Sequence, residues 1–124
     1  MNNFIFYDTE TSSVKELNYI QAIQIGSILT NSSLEKIDSF SLMCAPLPWT
    51  LITPKALLIN KKDEIFNSNI THYQMIKNTF NKWSLWSSSN ESIFISYNGM
   101  RFDEEIMRRQ FYWNLLDTYL TNTN

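Results

Sequence analysis

Apolar positions fall in short unbroken or alternating runs over some stretches and at helical spacing over others. Phe4-Ile5-Phe6-Tyr7 shows no alternation, so residues 3–9 read as a strand buried on both faces. Tyr19 to Leu29, carrying Ile20, Ile23, Ile25, Ile28 and Leu29, reads as a second strand. The polar turn Asn31-Ser32-Ser33 separates it from Ile37 to Cys44, where Phe40, Leu42 and Cys44 alternate onto one face. A connection this short predicts an antiparallel pair. Ala45-Pro46-Leu47-Pro48 ends that part of the sheet, because proline cannot donate to a ladder. Residues 49–68 have weak periodicity and read as loop with a short helical turn.

Ile70, Tyr73, Ile76, Phe80 and Trp83 then recur at three- and four-residue steps, one face of an amphipathic helix. Ser87-Ser88-Ser89-Asn90 breaks it, and Ile93-Phe94-Ile95 predicts a short buried strand. A second helix is predicted from near Arg101, with Phe102, Ile106 and Trp113 along one side. A helix between the third and fourth strands leaves room for a parallel crossover, so the expected sheet is mixed. With no internal repeat, low-complexity tract or dividing linker, residues 1–124 read as one α/β domain, or part of one.

Composition narrows the function classes. A length of 124 residues with 44% apolar and 15% aromatic residues describes a small globular domain and not a disordered chain. The net charge of −2 supplies no global field toward nucleic acid, which argues against a simple binding module and leaves an enzyme with a local basic patch open. Cys44 is the lone cysteine, so no internal disulfide forms; the expectation is a reducing compartment and an inert core thiol. No run of about 18 apolar residues occurs and no charged leader precedes a hydrophobic segment, so a cytoplasmic protein with no membrane association is expected.

The acids carry the candidate chemistry. Asp8 and Glu10 sit one residue apart at the end of the first strand, where alternation points both side chains the same way. Two like charges facing one spot need a cation or a proton. A second acidic group follows the fourth strand, in Tyr97-Asn98-Gly99-Met100-Arg101-Phe102-Asp103-Glu104-Glu105. Taken alone, Asp103 is a favourable charge at a helix N-terminus. Taken with Asp8 and Glu10, it lies beyond the carboxyl end of a strand, where open α/β sheets bind ligands. Three converging carboxylates would form a hard-oxygen site suited to Mg²⁺ or Mn²⁺.

Asp8-Thr9-Glu10-Thr11 resembles the first motif of the DEDD, or DnaQ-like, 3′–5′ exonucleases, and Ile23-Gln24-Ile25-Gly26-Ser27-Ile28 is similar to their second strand. Tyr97-Asn98 followed by Phe102-Asp103-Glu104-Glu105 resembles their second motif. Arg101 before it and Arg108, Phe111, Tyr112 and Asn114 after it look most like the exonuclease I branch. The likeness runs in order over essentially the whole chain. It implies a ribonuclease H-like α/β fold: a mixed sheet with three antiparallel strands and a parallel fourth, flanked by helices and incomplete at the C-terminus. It also implies hydrolysis of a terminal phosphodiester by two divalent ions about 4 Å apart. By motif position, Asp8 would bridge both ions, Glu10 would hold the ion that binds the attacking water, and Asp103 would serve the other. Thr9, Thr11, Asn98, Arg101 and Phe102 would meet the substrate. The implied partner is the 3′ end of single-stranded nucleic acid, with DNA expected.

The chain departs from the family pattern at three places. Ser12-Ser13 stands where a glycine is common, and Asn60-Lys61 replaces a small turn near the bound nucleotide; both bear on nucleotide contact and leave metal ligation untouched. The third motif, a histidine or tyrosine base with a fourth carboxylate, has no match after Asp103, so these residues alone are expected to be inactive or nearly so. His72 precedes the second motif and is read as an exposed helix-start histidine, and Asp117 follows the second helix too closely to be the missing ligand.

Other residues have plainer readings. Trp83 and Trp86, at helical spacing, are expected in the core, and Trp49 in its loop is a better candidate to face a nucleotide. Arg101, Arg108 and Arg109 could meet phosphate or solvate a helix face; Lys61 and Lys62 read as a solvated turn. A haloacid-dehalogenase-type phosphatase also opens on an acid pair after an apolar strand, but it wants Asp-x-Asp and a later Gly-Asp-x-x-x-Asp. The remaining alternative is a non-catalytic remnant that binds metal or nucleic acid without hydrolysis.

Overall fold

The computed structural model describes residues 2–12, 20–48, 50, 68–88, 90–96 and 103–121. Strands β1 (Asn3–Thr11), β2 (Ala22–Thr30) and β3 (Lys36–Met43) are followed by helix α1 (His72–Ser88), strand β4 (Ser92–Ile95) and helix α2 (Glu104–Trp113). The sheet order is β3-β2-β1-β4. β1 runs antiparallel to β2, β2 antiparallel to β3, and β4 parallel to β1. This is the mixed α/β sheet expected from the sequence, with the crossover helix in the predicted place.

Register explains which face is covered. Tyr7 pairs with Ser27, which pairs with Phe40, while Ile5 pairs with Leu29 on one side and Phe94 on the other. These positions share one face, and both helices pack on it. The Trp83 ring meets Tyr7, Phe94 and Phe111 edge-on, at centroid distances of 5.1, 5.2 and 6.1 Å. Its buried indole N–H has a partner in Ser27 Oγ at 3.0 Å, and the Trp86 N–H donates to Asp38 Oδ2 at 3.1 Å. Both tryptophans therefore lie in the core with their polar tips satisfied. Cys44 is buried there too; burial pushes its thiol up to about 11, so it is inert at neutral pH.

The opposite face carries Phe4, Phe6, Asp8, Gly26 and Ile28, and no described helix covers it. The opening strand, read as buried on both faces, is thus buried on one: Ile5, Tyr7, Thr9 and Thr11 are buried, whereas Phe4 and Phe6 are half-buried. Ile93, Phe94 and Ile95 of β4, expected to be buried, are half-buried, because among the described residues the strand has a neighbour only in β1.

Helix α1 begins at His72, after Ile70, and its buried stripe is His72, Met75, Ile76, Thr79, Trp83 and Trp86. Tyr73, assigned to that stripe from spacing, is 53% exposed. The difference is angular: once His72 and Ile76 define the inward line, residue 73 is turned by about 100° from it. β2 begins at Ala22 and not Tyr19, because Gln21 is used as a brace. Its backbone exchanges hydrogen bonds with Ser12, and its side chain donates to Ala45 O and accepts from Leu47 N. In α2 the buried residues are Ile106, Met107, Gln110 and Phe111, with Trp113 half-buried against His72. Arg101 and Phe102, and residues 51–67 of the loop read over 49–68, lie outside the described residues. Among the described residues no helix is long and apolar enough to cross a membrane.

Candidate functional site

The pairing of β1 with β4 ends at Phe6 and Ile95, so the rest of β1 runs on past the carboxyl end of its parallel neighbour. Asp8 and Glu10 lie on that extension. By strand alternation both point to the uncovered face. Asp8 is exposed, and its carboxylate makes no hydrogen bond or ion pair among the described residues; Glu10 is half-buried. Directly across from Asp8 in β2 is Gly26, and a Cβ built there would meet nothing within 4 Å. The floor beside Asp8 is therefore open, and it belongs to a groove of about 690 Å³ lined by Phe6, Asp8, Gly26, Ile28, Ser41 and Ile95 among others.

Asp103 reaches the same end of β1 by another route. It occupies the N-cap position of α2 with helical backbone angles, φ −63° and ψ −40°, and its side chain does not cap its own helix. Both carboxylate oxygens instead accept hydroxyls from strand ends: Thr9 Oγ1 donates to Oδ1 at 2.7 Å, and Ser96 Oγ donates to Oδ2 at 3.0 Å. Asp103 is 4% exposed. Thr9 is the residue between Asp8 and Glu10, so Asp103 is tied to the strand that carries the other two acids. Burial, then the charges of Glu104 and Asp103, raise the Tyr7 phenol well above its ordinary value; a Ser96 hydrogen bond works the other way. Tyr7 is therefore a neutral wall of the site.

Among the described residues, no three His, Cys, Asp or Glu side chains stand close enough to hold one metal ion together. Asp8 and Glu10 pair on the open face, and Asp103 stands apart from them on its two hydroxyl donors. The donor chemistry still fits a hard divalent cation: all three groups are carboxylates, and one of them, Asp8, is exposed with no cationic partner among the described residues.

The other predicted site residues divide. Thr9 and Thr11 are buried on the helix-covered side, and Thr9 has its hydroxyl on Asp103. Asn98, Arg101 and Phe102, like Trp49, Lys61 and Lys62, lie outside the described residues. Arg108 and Arg109 make i,i+4 ion pairs with Glu104 and Glu105 at 2.9 and 3.1 Å, and Arg108 also lies 5.3 Å from the Tyr119 ring. Asp117 is exposed and accepts the Tyr119 amide.

His72 was expected at the surface and is 3% exposed. It starts α1 as read, but α2 packs over it and Gln110 meets its Nε2 at 2.6 Å. Ser96 was not anticipated at all. The available signal was a hydroxyl residue directly after the fourth strand, beside the part of the first strand that carries Asp8.

No family model matches the chain. Over 124 residues it is 29% identical to exodeoxyribonuclease I of Buchnera aphidicola subsp. Schizaphis graminum, a match covering 94% of this chain and 24% of that protein. The exonuclease I of Methylocaldum szegediense superposes with a TM-score of 0.86 at 25% identity, covering 98% of this chain and 26% of that one. The zinc-bound form of an E. coli exonuclease I complex with single-stranded DNA superposes with a TM-score of 0.86 at 24% identity, covering 98% and 26%. The chain thus spans about a quarter of the length of the proteins it matches. Over its length the chain is thus similar in sequence to exonuclease I proteins, and its ribonuclease H-like fold matches that of the solved ones.

Proposed function

We propose that these residues form the metal-binding rim of a 3′–5′ exonuclease that hydrolyses terminal phosphodiesters of single-stranded DNA. The observation that carries the reading is the placement of three carboxylates along the part of β1 beyond Phe6: Asp8 and Glu10 on its open face, and Asp103, standing apart from them, hydrogen-bonded to Thr9 between them. Asp8, Glu10 and Asp103 are the groups that would hold Mg²⁺ or Mn²⁺. When bound, such ions stabilise the attacking and leaving oxygens of the displacement. The chain's own part is to gather negative charge at an open rim and to hold Asp103 in one orientation. The adjoining groove presents apolar walls, Phe6, Ile28 and Ile95, beside the exposed Asp8.

The test is a Mn²⁺ titration of the purified chain, followed by electron paramagnetic resonance, beside Asp8→Ala. Saturable binding that Asp8→Ala removes is the expected result. A native chain without saturable binding would overturn the metal site, and hydrolysis of a phosphomonoester alone would favour a phosphatase.

A further inference from the structure

Ser96 stands one residue past the end of β4, half-buried, with its side chain also hydrogen-bonded to the Tyr7 phenol. It lines the groove that Asp8 also lines, and its hydroxyl donates to Asp103 Oδ2 at 3.0 Å. The other oxygen of that carboxylate is held from β1 by Thr9 at 2.7 Å. Two donors, one on β1 and one just past the end of β4, each holding one oxygen, fix the plane of the Asp103 carboxylate. Neither uses the oxygen up, because a carboxylate oxygen that accepts one hydrogen bond keeps a second lone pair. α2 supplies no such restraint, since the Asp103 side chain makes no capping bond to its own helix. Without Ser96, Oδ2 would lose the only donor the described residues offer it, and the carboxylate could turn about its one remaining tether.

We propose that Ser96 is a positioning residue for metal binding, acting through Asp103 and not on the ion itself. The proposal rests on the reading of Asp8, Glu10 and Asp103 as the metal-holding acids. Hydrogen-bonding partners of metal ligands orient them, and losing one costs about 10–100-fold in metal affinity. Ser96→Ala is expected to weaken Mn²⁺ binding by about that factor, and Ser96→Thr, which restores a hydroxyl, to bind as the native chain does.

The experiment is the same Mn²⁺ titration of the purified chain, extended to Ser96→Ala, Ser96→Thr, Asp103→Asn and the double variant Ser96→Ala/Asp103→Asn, with urea midpoints recorded for each. If Ser96 acts through Asp103, adding Ser96→Ala to Asp103→Asn changes Mn²⁺ affinity no further. Native-like affinity in Ser96→Ala would overturn the proposal whatever its urea midpoint. So would the full loss repeated in the Asp103→Asn background, which would mean a route other than Asp103. If the native chain shows no saturable Mn²⁺ binding, the metal reading fails first and takes the Ser96 role with it. That result is distinct from a native chain that binds and a Ser96→Ala chain that binds equally.

Discussion

The Thr9 hydroxyl donates to Asp103 at 2.7 Å, joining residues 94 positions apart through a buried hydrogen bond. One partner is on the central part of the sheet and the other at the start of α2, so this contact couples the placement of the helix to the strand that bears Asp8 and Glu10.

Thr9→Val keeps the shape of the side chain and removes its donor. A buried oxygen left without a partner costs about 1–3 kcal/mol, and more where it is charged. Urea unfolding should show the midpoint falling in Thr9→Val and staying near native in Thr9→Ser. Equal midpoints in all three chains would mean that Thr9 contributes nothing through its hydroxyl.

Stability should also depend on pH through His72. Gln110 Oε1 accepts the Ala22 amide at 3.1 Å while Gln110 Nε2 donates to Ile20 O, which fixes the amide as an acceptor toward His72. The imidazole proton is then on Nε2, and Asn114 Nδ2 faces Nδ1 at 3.4 Å. Burial lowers the histidine below its ordinary value of 6.5, with the Gln110 hydrogen bond opposing it. The unfolded chain therefore takes up a proton at a pH where the folded chain does not. Stability is full above about 6.5 and declines as pH falls from there toward the folded value. Urea midpoints at pH 7.5 and 5.5 should differ in the native chain, and His72→Gln should reduce the difference.

Leu115 follows α2 in a left-handed conformation, φ 59°, with its amide donating to Tyr112 O at 3.1 Å and the Leu116 amide to Phe111 O at 2.9 Å. This is the helix-ending arrangement that glycine usually occupies. The Leu115 side chain is 94% exposed, so little contact is lost by removing it. Leu115→Gly should raise stability by about 1 kcal/mol, since a side chain in this backbone region costs about 1–2 kcal/mol and glycine's added unfolded-state freedom offsets part of it. An unchanged or lower melting temperature would show that Leu115 is not strained.

Catalysis by these 124 residues alone should be absent or slight. Three of the carboxylates that the exonuclease resemblance requires are present, but no match to its third-motif base is. A general base is typically worth about 10²–10⁴ in rate, and displaced reacting groups cost a further ~10². A 3′-labelled single-stranded oligonucleotide with Mn²⁺ is the assay, run beside Asp8→Ala. The variant should fold at least as well as the native chain, because it removes one of two like charges on the open face. Release of 3′ nucleotides at enzyme-like rates, lost in Asp8→Ala, would show that no third motif is needed.

Local pattern alone determined the strands, the crossover helix and the shared direction of Asp8 and Glu10. A run such as Phe4 to Tyr7 has few alternatives to a strand, and side-chain alternation is a property of the strand itself. The place of Asp103 near them was legible through the motif it carries, but its hydroxyl partners were not. Thr9 and Ser96 meet Asp103 only because β4 stops at Ile95 and α2 starts beside the exposed end of β1, a matter of docking and not of spacing. His72 makes the same point. A polar residue at a helix start is at the surface by default, and only the packing of α2 puts Gln110 over it and makes burial affordable. Which face of the sheet the described helices cover was equally a tertiary decision, since both faces of β1 are rich in aromatic and apolar residues and those helices pack on just one of them.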